Sequence, residues 1–445
     1  MTIRGLFAIL AAMAVLFLAP PAPADEEKPI RVIVPNLPLD GRLRQTRPRL
    51  LLPGLFDGWD GEDPPPAMRR RLTAYEQAGL RLPGNPCRLD HVGPLTVCWL
   101  LTGDHAAGQR ALHRLVAEPV QSTKIAGFYG DSWVRALAYD LLQGHPGWNG
   151  KNRAKVAAKL ARELARHLMI LETEPVSLWH GRATLAAQAW ILAVALGPGG
   201  DQAGPNRREQ IRRAQLHFLD VIAALRLTEG WPEGYNYWVN NRAFVLGLAA
   251  SAYINGLTGT RRAGRVAGAV RRAGHWTLYA TRPDNRVEGF GDEGPRVDLK
   301  DETRRAIDIY TQVTRDPVLA SYSRFLGRLH GGASYYRGYA WMFALLHDPR
   351  VPLAVPIAGR DLATFAGRLP SAELFGRGAL NQVFMRSGWG PEATFISFRA
   401  GKTFTHHGHY DAGHFTLFKD APLARIRFNP GRILRQRRSS RIRWA

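Results

Sequence analysis

Apolar residues recur every three or four positions over most of the chain, a spacing that places them on one face of an α-helix. Trp133, Leu137 and Leu141 show it clearly, and Ala214, Phe218 and related positions repeat it. Further helices are predicted near residues 89–101, 105–118, 151–170, 182–196, 240–256, 262–280, 300–314 and 335–346. About ten helices, several apolar on more than one side, favour a toroid of helical hairpins around a cleft, with a solenoid as the alternative.

The periodicity changes after Pro370. Three segments, Asn381–Ser387, Ala393–Arg399 and His414–Lys419, have the pattern of strands, and glycines mark the turns between them. This is the start of an all-β domain. Only about fifty residues of it are present, and three or four strands would leave an open edge.

The N-terminus has the pattern of a secretory signal. Arg4 precedes an apolar stretch, Leu6–Leu18, that is too short to cross a bilayer comfortably, and Ala22-Pro23-Ala24 fits a cleavage site. We therefore expect a mature chain that begins at Asp25 and is exported, most simply to the periplasm. No later stretch is long and apolar enough for a membrane helix.

The chain of 445 residues carries a formal charge of +23, which favours acidic partners. Residues 425–445 hold eight arginines and no acid, but the rest of the chain is basic without them. Export and the absence of a nucleic-acid motif speak against nucleic acid, which leaves an acidic polysaccharide or a membrane surface. Cys87 and Cys98 could form a disulfide in an oxidising compartment, unless a helix through Cys98 prevents it.

The most concentrated chemistry lies in residues 405–415, where four histidines, a tyrosine and an aspartate stand between two strand-like segments. If residues 407–411 are extended, then His407, His409 and Asp411 point to one side. Such a pattern can hold a metal ion or place a proton-transfer group, and the spacing alone does not decide between them. A polar turn without function is the third interpretation.

Three other polar clusters could carry function. His180 stands at or just before the start of the helix Ala183–Leu196, where it could act on a substrate or simply cap the helix. The loop Trp231–Trp238 holds four aromatic side chains, an acid and an amide, which suits either a functional loop or aromatic packing. Residues 282–294 form a polar loop that could line a cleft or be solvated.

Together these residues resemble the heparinase II/III-like polysaccharide lyases, which include related alginate lyases. The family motif of an aromatic, x, Arg-Ser-Gly-Trp followed by H-x-H-x-D-x-G is matched by Phe384–Trp389 and His407–Gly413. The family loop E-G-x-x-Y-W is matched by Glu233–Trp238, and its helix-leading histidine by His180. The resemblance implies an α+β fold, with an incomplete α/α toroid followed by an antiparallel β-sandwich and an active site between them.

The resemblance also implies β-elimination on uronic-acid glycans. A base removes the proton next to the uronate carboxylate, other groups stabilise the resulting negative charge, and an acid protonates the departing oxygen. Tyr237 is the implied acid/base, with Tyr235 as the fallback. His180 assists at the sugar carboxylate or as base, and His407 contributes from the β domain. A tyrosine with its usual pKa of about 10 needs a nearby cation, such as Arg182, to act as a base.

The predicted substrate contacts of this site come from Arg182, Glu233, Tyr235, Trp238 and Asn241. Some family members also hold a structural zinc, to which His409 corresponds. The family pattern then continues with an acidic ligand and another histidine, whereas this chain departs from it after Ala424. We interpret this break in composition as a truncated or frame-shifted reading, which leaves the zinc site incomplete.

The predicted organisation therefore has five parts. They are a signal peptide at 1–24, a Pro-rich lead-in at 25–66, the toroid at 67–370, a partial β-sandwich at 371–424 and an aberrant Arg-rich tail at 425–445. Two other functions remain open on the sequence alone. One is a glycoside hydrolase that uses Glu233 with Asp292 or Glu293, and the other is a glycan-binding or truncated product without activity.

Overall fold

The structure is a computed structural model. It describes residues 37–61, 64–119, 132–173, 179–198, 204–240, 242–289, 297–330, 336, 338–354, 362–401 and 412–426. The predicted signal peptide and nearly all of the predicted Arg-rich tail lie outside these residues. The predicted division of the chain into domains stays a prediction.

Helices dominate the described part up to residue 366. They are α1 (Pro66–Gln77), α2 (Val92–Thr102), α3 (His105–Ala117), α4 (Ser132–Leu141), α5 (Gly150–Thr173), α6 (His180–Leu196), α7 (Gly204–Thr228), α8 (Tyr235–Val239), α9 (Arg242–Gly256), α10 (Ala263–Ala280), α11 (Glu302–Thr314), α12 (Pro317–Leu329), α13 (Phe343–Leu346) and α14 (Ala363–Ala366). Short 3-10 turns occur at Pro86–Arg88, Leu142–Gly144 and Ala340–Met342.

The long helices alternate between an inner and an outer layer. The inner helices α2, α4, α6, α9 and α11 contact one another in that order, and each is followed in the chain by an outer helix, namely α3, α5, α7, α10 and α12. Every residue of α6 except His180 is buried, as expected for a helix that is apolar all round. Helix α5 instead buries a stripe that includes Val156, Leu160 and Leu164. Five hairpins in two layers confirm the predicted toroid.

Two helix predictions differ from the structure. The helix predicted for 335–346 begins only at Ala340, because Tyr336 and Gly338 have positive φ angles of 62° and 82°, which a right-handed helix excludes. Helix α12 was not predicted. Its signal was present, since Asp316 caps the helix by accepting from the N–H groups of Val318 and Leu319, and Pro317 occupies the first position.

Five strands follow the helices: β5 (Ala372–Phe375), β6 (Gln382–Arg386), β7 (Phe395–Arg399), β8 (His414–Lys419) and β9 (Ala421–Ile426). They form one antiparallel sheet in chain order, so the fold is α+β as predicted. The prediction of three or four strands was too low. Strand β9 continues to Ile426, inside the predicted aberrant tail, and Pro422 weakens its sequence signal but is tolerated on an edge strand.

Four shorter strands pair within the helical part. They are β1 (Arg42–Leu43) with β2 (Leu257–Thr258), and β3 (Arg286–Val287) with β4 (Val297–Asp298). Cys87 and Cys98 form a disulfide even though Cys98 lies within α2, which settles the alternative left open by the sequence. Among the described residues, no helix combines the length and apolar character needed to cross a membrane.

One face of the sheet packs on the helical part through buried polar side chains. Trp276 of α10 donates from Nε1 to Oε1 of Gln382 on β6 at 2.9 Å. Thr416 of β8 donates to Oε1 of Glu288 at 2.6 Å. Because all these groups are buried and satisfied by one another, the sheet is fixed to the segment that leads into β3 and to α10.

Candidate active site

The loop before α8, which begins at Trp231, supports the candidate site through buried aromatic packing. Trp231 packs against Trp179 at 5.2 Å and against Trp238 at 5.1 Å between ring centroids, and all three rings are buried. Gly234 has a φ of 97°, which lets the chain turn sharply into α8 at a position that disfavours any other residue. Aromatic packing, the ordinary interpretation of this loop, therefore accounts for its tryptophans.

Tyr237 packs against the buried core from a more exposed position. It is half-buried, and its ring centroid lies 5.3 Å from that of His180, the first residue of α6. The predicted position of His180 at the start of the helix is confirmed. A phenol and an imidazole this close can both reach one substrate, so the two residues form the core of the candidate site.

Glu233 fixes the orientation of His180. Its Oε1 accepts from Nδ1 of the imidazole at 2.8 Å and its Oε2 accepts from the backbone N–H of His180 at 3.0 Å. Since a carboxylate at this position accepts the Nδ1 proton, Nε2 is the ring atom through which His180 exchanges protons with a substrate. The carboxylate also stabilises the imidazolium that forms when Nε2 takes up a proton.

Arg242, which lies beside Tyr237, and Lys300, which shares the partner Asn240 with it, were not predicted from the sequence. The Arg242 guanidinium lies 5.6 Å from the centre of the Tyr237 ring and donates from one η nitrogen to the carbonyl oxygen of Asn240 at 2.7 Å. Lys300 donates from Nζ to Oδ1 of the same Asn240 at 3.3 Å. Arg242 could have been found, since it opens the predicted helix 240–256 directly after the aromatic loop. Lys300 has no local signal because a long loop separates it from the site.

Arg182 was predicted to be the cation that assists Tyr237, and the structure places it elsewhere. It forms an ion pair with Asp220 of α7 at 3.0 Å and lies 3.4 Å from Nδ1 of His217. The reason is helical geometry, because residues two apart on a helix face different sides and His180 occupies the side toward the site. The cation next to the phenol is Arg242.

Three residues predicted to bind substrate are too buried to touch one. Glu233 and Tyr235 have no exposed surface and Trp238 has 2%. The Tyr235 hydroxyl lies 2.5 Å from Oγ1 of Thr303 and accepts from the backbone N–H of Lys300 at 2.7 Å, so it also does not serve as the fallback acid/base. Trp238 donates to Thr277 at 3.1 Å. These three buried side chains therefore hold neighbouring protein groups in place and do not contact a substrate.

His407, His409 and Asn241 lie outside the described residues, and their roles stay predictions. The described flank of the histidine segment does reach the site. Arg399, at the end of β7, donates to the carbonyl oxygen of Pro232 at 3.1 Å, and Pro232 is adjacent to Glu233. The end of β7 therefore lies against the loop that holds His180.

The described residues offer no zinc site. No group of three or more His, Cys, Asp or Glu side chains among them is arranged to hold a metal ion. On β8, Nε2 of His414 lies 3.7 Å from Oε1 of Glu288, and the hydroxyl of Thr416 is the third group there. Two ligands do not make a structural zinc site, so the part of the chain that the structure describes does not fit the metal.

The segment Phe384–Trp389, which carried much of the family resemblance, has a structural role here. Arg386 is buried and donates to the carbonyl oxygens of Tyr279 and Thr281 at 2.7 and 3.2 Å. Its guanidinium lies 3.7 Å from the centre of the Trp389 ring. Burial lowers the pKa of Arg386 to about 9. The motif thus joins the sheet to the end of α10.

Comparison with known proteins gives no family by sequence. No family model matches the chain, and no curated protein matches it. Solved structures with a similar fold include a heparan sulfate lyase from Pedobacter heparinus, with 12% identity, a TM-score of 0.46, and coverage of 75% of this chain and 47% of that one. A structure of heparinase III has 12% identity, a TM-score of 0.45, and coverage of 76% and 50%.

A heparinase III gene product is similar at 10% identity with a TM-score of 0.43, covering 75% of this chain and half of its own. The chain thus spans about half the length of the structures it matches. With identities near a tenth and TM-scores below 0.5, these likenesses do not assign a function, and the argument for one rests on the site.

Proposed function

We infer that the protein is a polysaccharide lyase that cleaves uronic-acid glycans by β-elimination. The observation that carries this proposal is the contact of Tyr237 with His180 while Glu233 holds the imidazole from behind. A phenol and an oriented imidazole on one half-buried surface are an acid and a base that need neither metal nor water for this reaction.

The geometry favours distinct roles for the two groups. Nε2 of His180 removes the proton from the carbon that bears the carboxylate, and the electron pair of that bond forms the new carbon–carbon double bond. The bond from the neighbouring carbon to the glycosidic oxygen breaks as the phenol of Tyr237 donates its proton to that oxygen. The products are a 4,5-unsaturated uronate end and a new hydroxyl end, with no water consumed.

The charge that develops on the uronate during proton removal needs a cationic surrounding. Arg242 lies against the Tyr237 ring, and Lys300 contacts the same Asn240 as Arg242, so both add positive charge to this part of the molecule. They also favour the binding of a carboxylate over that of a neutral sugar. A cationic surrounding of this kind suits a uronate substrate.

The same contacts speak against the hydrolase alternative. A glycosidase needs two carboxyl groups that face the substrate, and Glu233 was one of the two. It is fully buried and both of its oxygens accept hydrogen bonds from His180, while Asp292 and Glu293 lie outside the described residues. Glu233 is thus engaged as a support for the imidazole.

Three further parts of the proposal rest on the sequence alone. His407 approaches the site from the β7–β8 connection, residues 1–24 direct export to the periplasm, and any structural zinc involves His409. Purification from the periplasm and N-terminal sequencing tests the second, since we expect Asp25 as the first residue. A protein that retains Met1 in the cytoplasm contradicts it.

Digestion of acidic glycans by the full chain tests the proposed reaction. Alginate, heparan sulfate and hyaluronan are incubated separately with the protein, with neutral starch as the control. We expect at least one uronic-acid glycan to give ultraviolet-absorbing 4,5-unsaturated ends, and starch to give none. Saturated reducing ends alone would show hydrolysis and overturn the assignment.

A further inference from the structure

A polar cavity of about 430 Å³ lies at the opposite end of the toroid from Tyr237. Helix α9 begins at Arg242 beside the site and ends at Gly256, and Asn255 in its last turn lines the cavity. At 1.5 Å per residue, the length of that helix separates the two places by roughly 20 Å. The cavity is therefore distinct from the candidate active site, and its size is in the range that holds a small ligand.

The walls of the cavity are strongly basic. Four arginines line it, Arg70, Arg71, Arg315 and Arg350, against two acids, Asp57 and Asp348. The last turns of α9 and α11 also end there and add partial negative charge from their carbonyl groups. Two full positive charges in excess outweigh these partial charges, so the cavity favours an anion.

Asp348 organises three of the guanidinium groups around itself. It forms a bidentate pair with Arg350 at 2.8 and 2.9 Å, and its Oδ2 lies 3.3 Å from Arg315 and 3.7 Å from Arg71. Arg71 is buried and donates to backbone carbonyls, but the side chains of Arg315 and Arg350 remain 57% and 51% exposed. Together with the exposed Arg70, these two side chains have more N–H donors than the single carboxylate of Asp348 can accept from. The remaining donors are available to a ligand in the cavity.

The uncharged lining is suited to hydroxyl groups. Asn255 uses its amide nitrogen to donate to Ser251 at 3.0 Å, and Gln312 uses its amide nitrogen to donate to the carbonyl oxygen of Leu345 at 2.6 Å. The amide oxygens of both residues take no part in these bonds and can accept from a ligand. A simple ion would occupy only a small part of such a cavity and would leave these acceptors without a role.

We propose that this cavity binds a small acidic sugar, with the carboxylate at Arg70, Arg315 and Arg350 and the hydroxyl groups at Asn255 and Gln312. The proposal does not depend on the lyase chemistry, because it concerns a different end of the molecule and is tested by binding. A second saccharide site on the far side of the toroid would let the protein hold a uronate without exposing it to Tyr237.

Calorimetric titration of the full chain with sodium glucuronate tests the proposal, with glucose and sodium sulfate as separate titrants. We expect glucuronate to bind at one site per chain, with glucose and sulfate each at least about ten-fold weaker, as expected if both the charge and the hydroxyl groups contribute. If sulfate binds as tightly as glucuronate, the cavity is only an ion site and the assignment of a sugar ligand is wrong. If glucose binds as tightly, the arginines do not select the ligand. If glucuronate gives no heat of binding, the cavity is not a binding site.

Variants decide whether the cavity is responsible. Arg70→Gln and Arg315→Asn each remove one charge, and asparagine tolerates the positive φ of 55° at position 315. We expect each to weaken glucuronate binding by about ten-fold. Arg265→Gln, an exposed arginine of α10 away from the cavity, is the matched control and should change nothing. An equal loss in the control shows general attraction to a basic protein and contradicts the proposal.

Discussion

Glu233 accepts two hydrogen bonds from the same residue, one from the imidazole of His180 and one from its backbone N–H. The acid lies in the loop before α8 and the histidine is the first residue of α6, so the pair joins two elements that are 53 positions apart in the chain. This relationship gives the imidazole one orientation and explains why a fully buried acid stands directly beneath the candidate site.

The first prediction concerns this pair. Glu233→Gln keeps the side-chain volume but removes the charge that stabilises the imidazolium. We expect turnover of a uronic-acid glycan to fall by at least about 10²-fold, because the imidazole loses the charged partner that orients it and stabilises its protonated form. The rate at which ultraviolet-absorbing unsaturated ends appear measures the effect.

A control for this variant exists in the same chain. Asp316 accepts from Nε2 of His275 at 2.9 Å and caps α12, and Asp316→Asn removes the charge while keeping a residue that caps well. We expect that variant to retain the wild-type rate. If Glu233→Gln also retains it, the carboxylate does not act through His180.

Tyr237→Phe tests the proton donor. The change removes one oxygen atom and leaves the ring against His180, so the fold should be unaffected and turnover should fall by about 10²- to 10⁴-fold. The matched control is Tyr139→Phe in α4, because Tyr139 also has an arginine against its ring, Arg47 at 5.4 Å. That arginine donates to the carbonyl oxygens of Ala195 and Leu196, at the end of α6 away from His180. Binding of glycan should persist in both variants. Unchanged turnover in Tyr237→Phe, measured by ultraviolet absorbance, rules the phenol out.

The sequence predicted the central pair of this site but not the groups around it. Tyr237 and His180 could be chosen because they match a local motif and a helix start. The choice of cation went wrong, since Arg182 follows His180 and Arg242 follows the aromatic loop, and only the helix packing decides which of the two faces the phenol. Burial separates Tyr237 from Tyr235 in the same way, because residues two apart on a helix face different sides.

Periodicity succeeded where a helix is long and buries one stripe, as in α5, or is apolar throughout, as in α6. It failed for 335–346, where backbone conformation at Tyr336 overrides an apolar pattern. It also failed at the edges of the sheet. Among the strands that the structure describes, β5 and β9 each pair with only one neighbour, so fewer positions must be apolar and the alternation that reveals β7 is absent.

A prediction about stability follows from the hydrogen bonds that Arg386 donates to two backbone carbonyl oxygens. Arg386→Lys keeps the charge but loses the planar guanidinium, which donates to two carbonyl oxygens while it lies against the Trp389 ring. We expect a loss of about 2 kcal/mol or more in the free energy of unfolding, since charge-assisted hydrogen bonds are replaced by poorer ones. Urea denaturation measures it. Arg377→Lys, on the exposed turn after β5, is the control and should leave the midpoint unchanged.

The disulfide joins Cys87 and Cys98, which are 11 positions apart in the sequence, and so closes a short loop. A loop of this size restricts the unfolded chain enough to contribute about 3 kcal/mol. We therefore expect reductant to lower the Tm of the wild type and to leave the Tm of the double variant Cys87→Ala/Cys98→Ala unchanged. The variant itself should melt near the reduced wild type. A wild type that is insensitive to reductant under denaturing scans contradicts the pairing.

The last prediction concerns Asp348 and the pH dependence of the free energy of unfolding. Burial alone would raise its pKa, but hydrogen bonds from Arg350 and the charge of Arg71 outweigh this and hold the pKa below its ordinary value. A carboxyl whose pKa is lower in the folded state stabilises the fold above the unfolded pKa of about 4, and this contribution is lost as the pH falls toward the folded value. Asp348→Asn should therefore cost about 1–3 kcal/mol at pH 7 and progressively less below pH 4.

Urea denaturation of both proteins at pH 7, 4 and 3 measures this convergence. Asp57→Asn serves as the control, since Asp57 lines the same cavity from an exposed position. We expect it to leave the difference between pH 7 and pH 3 unchanged. If the gap between wild type and Asp348→Asn stays constant down to pH 3, Arg350 and Arg71 do not hold this carboxyl in its charged form.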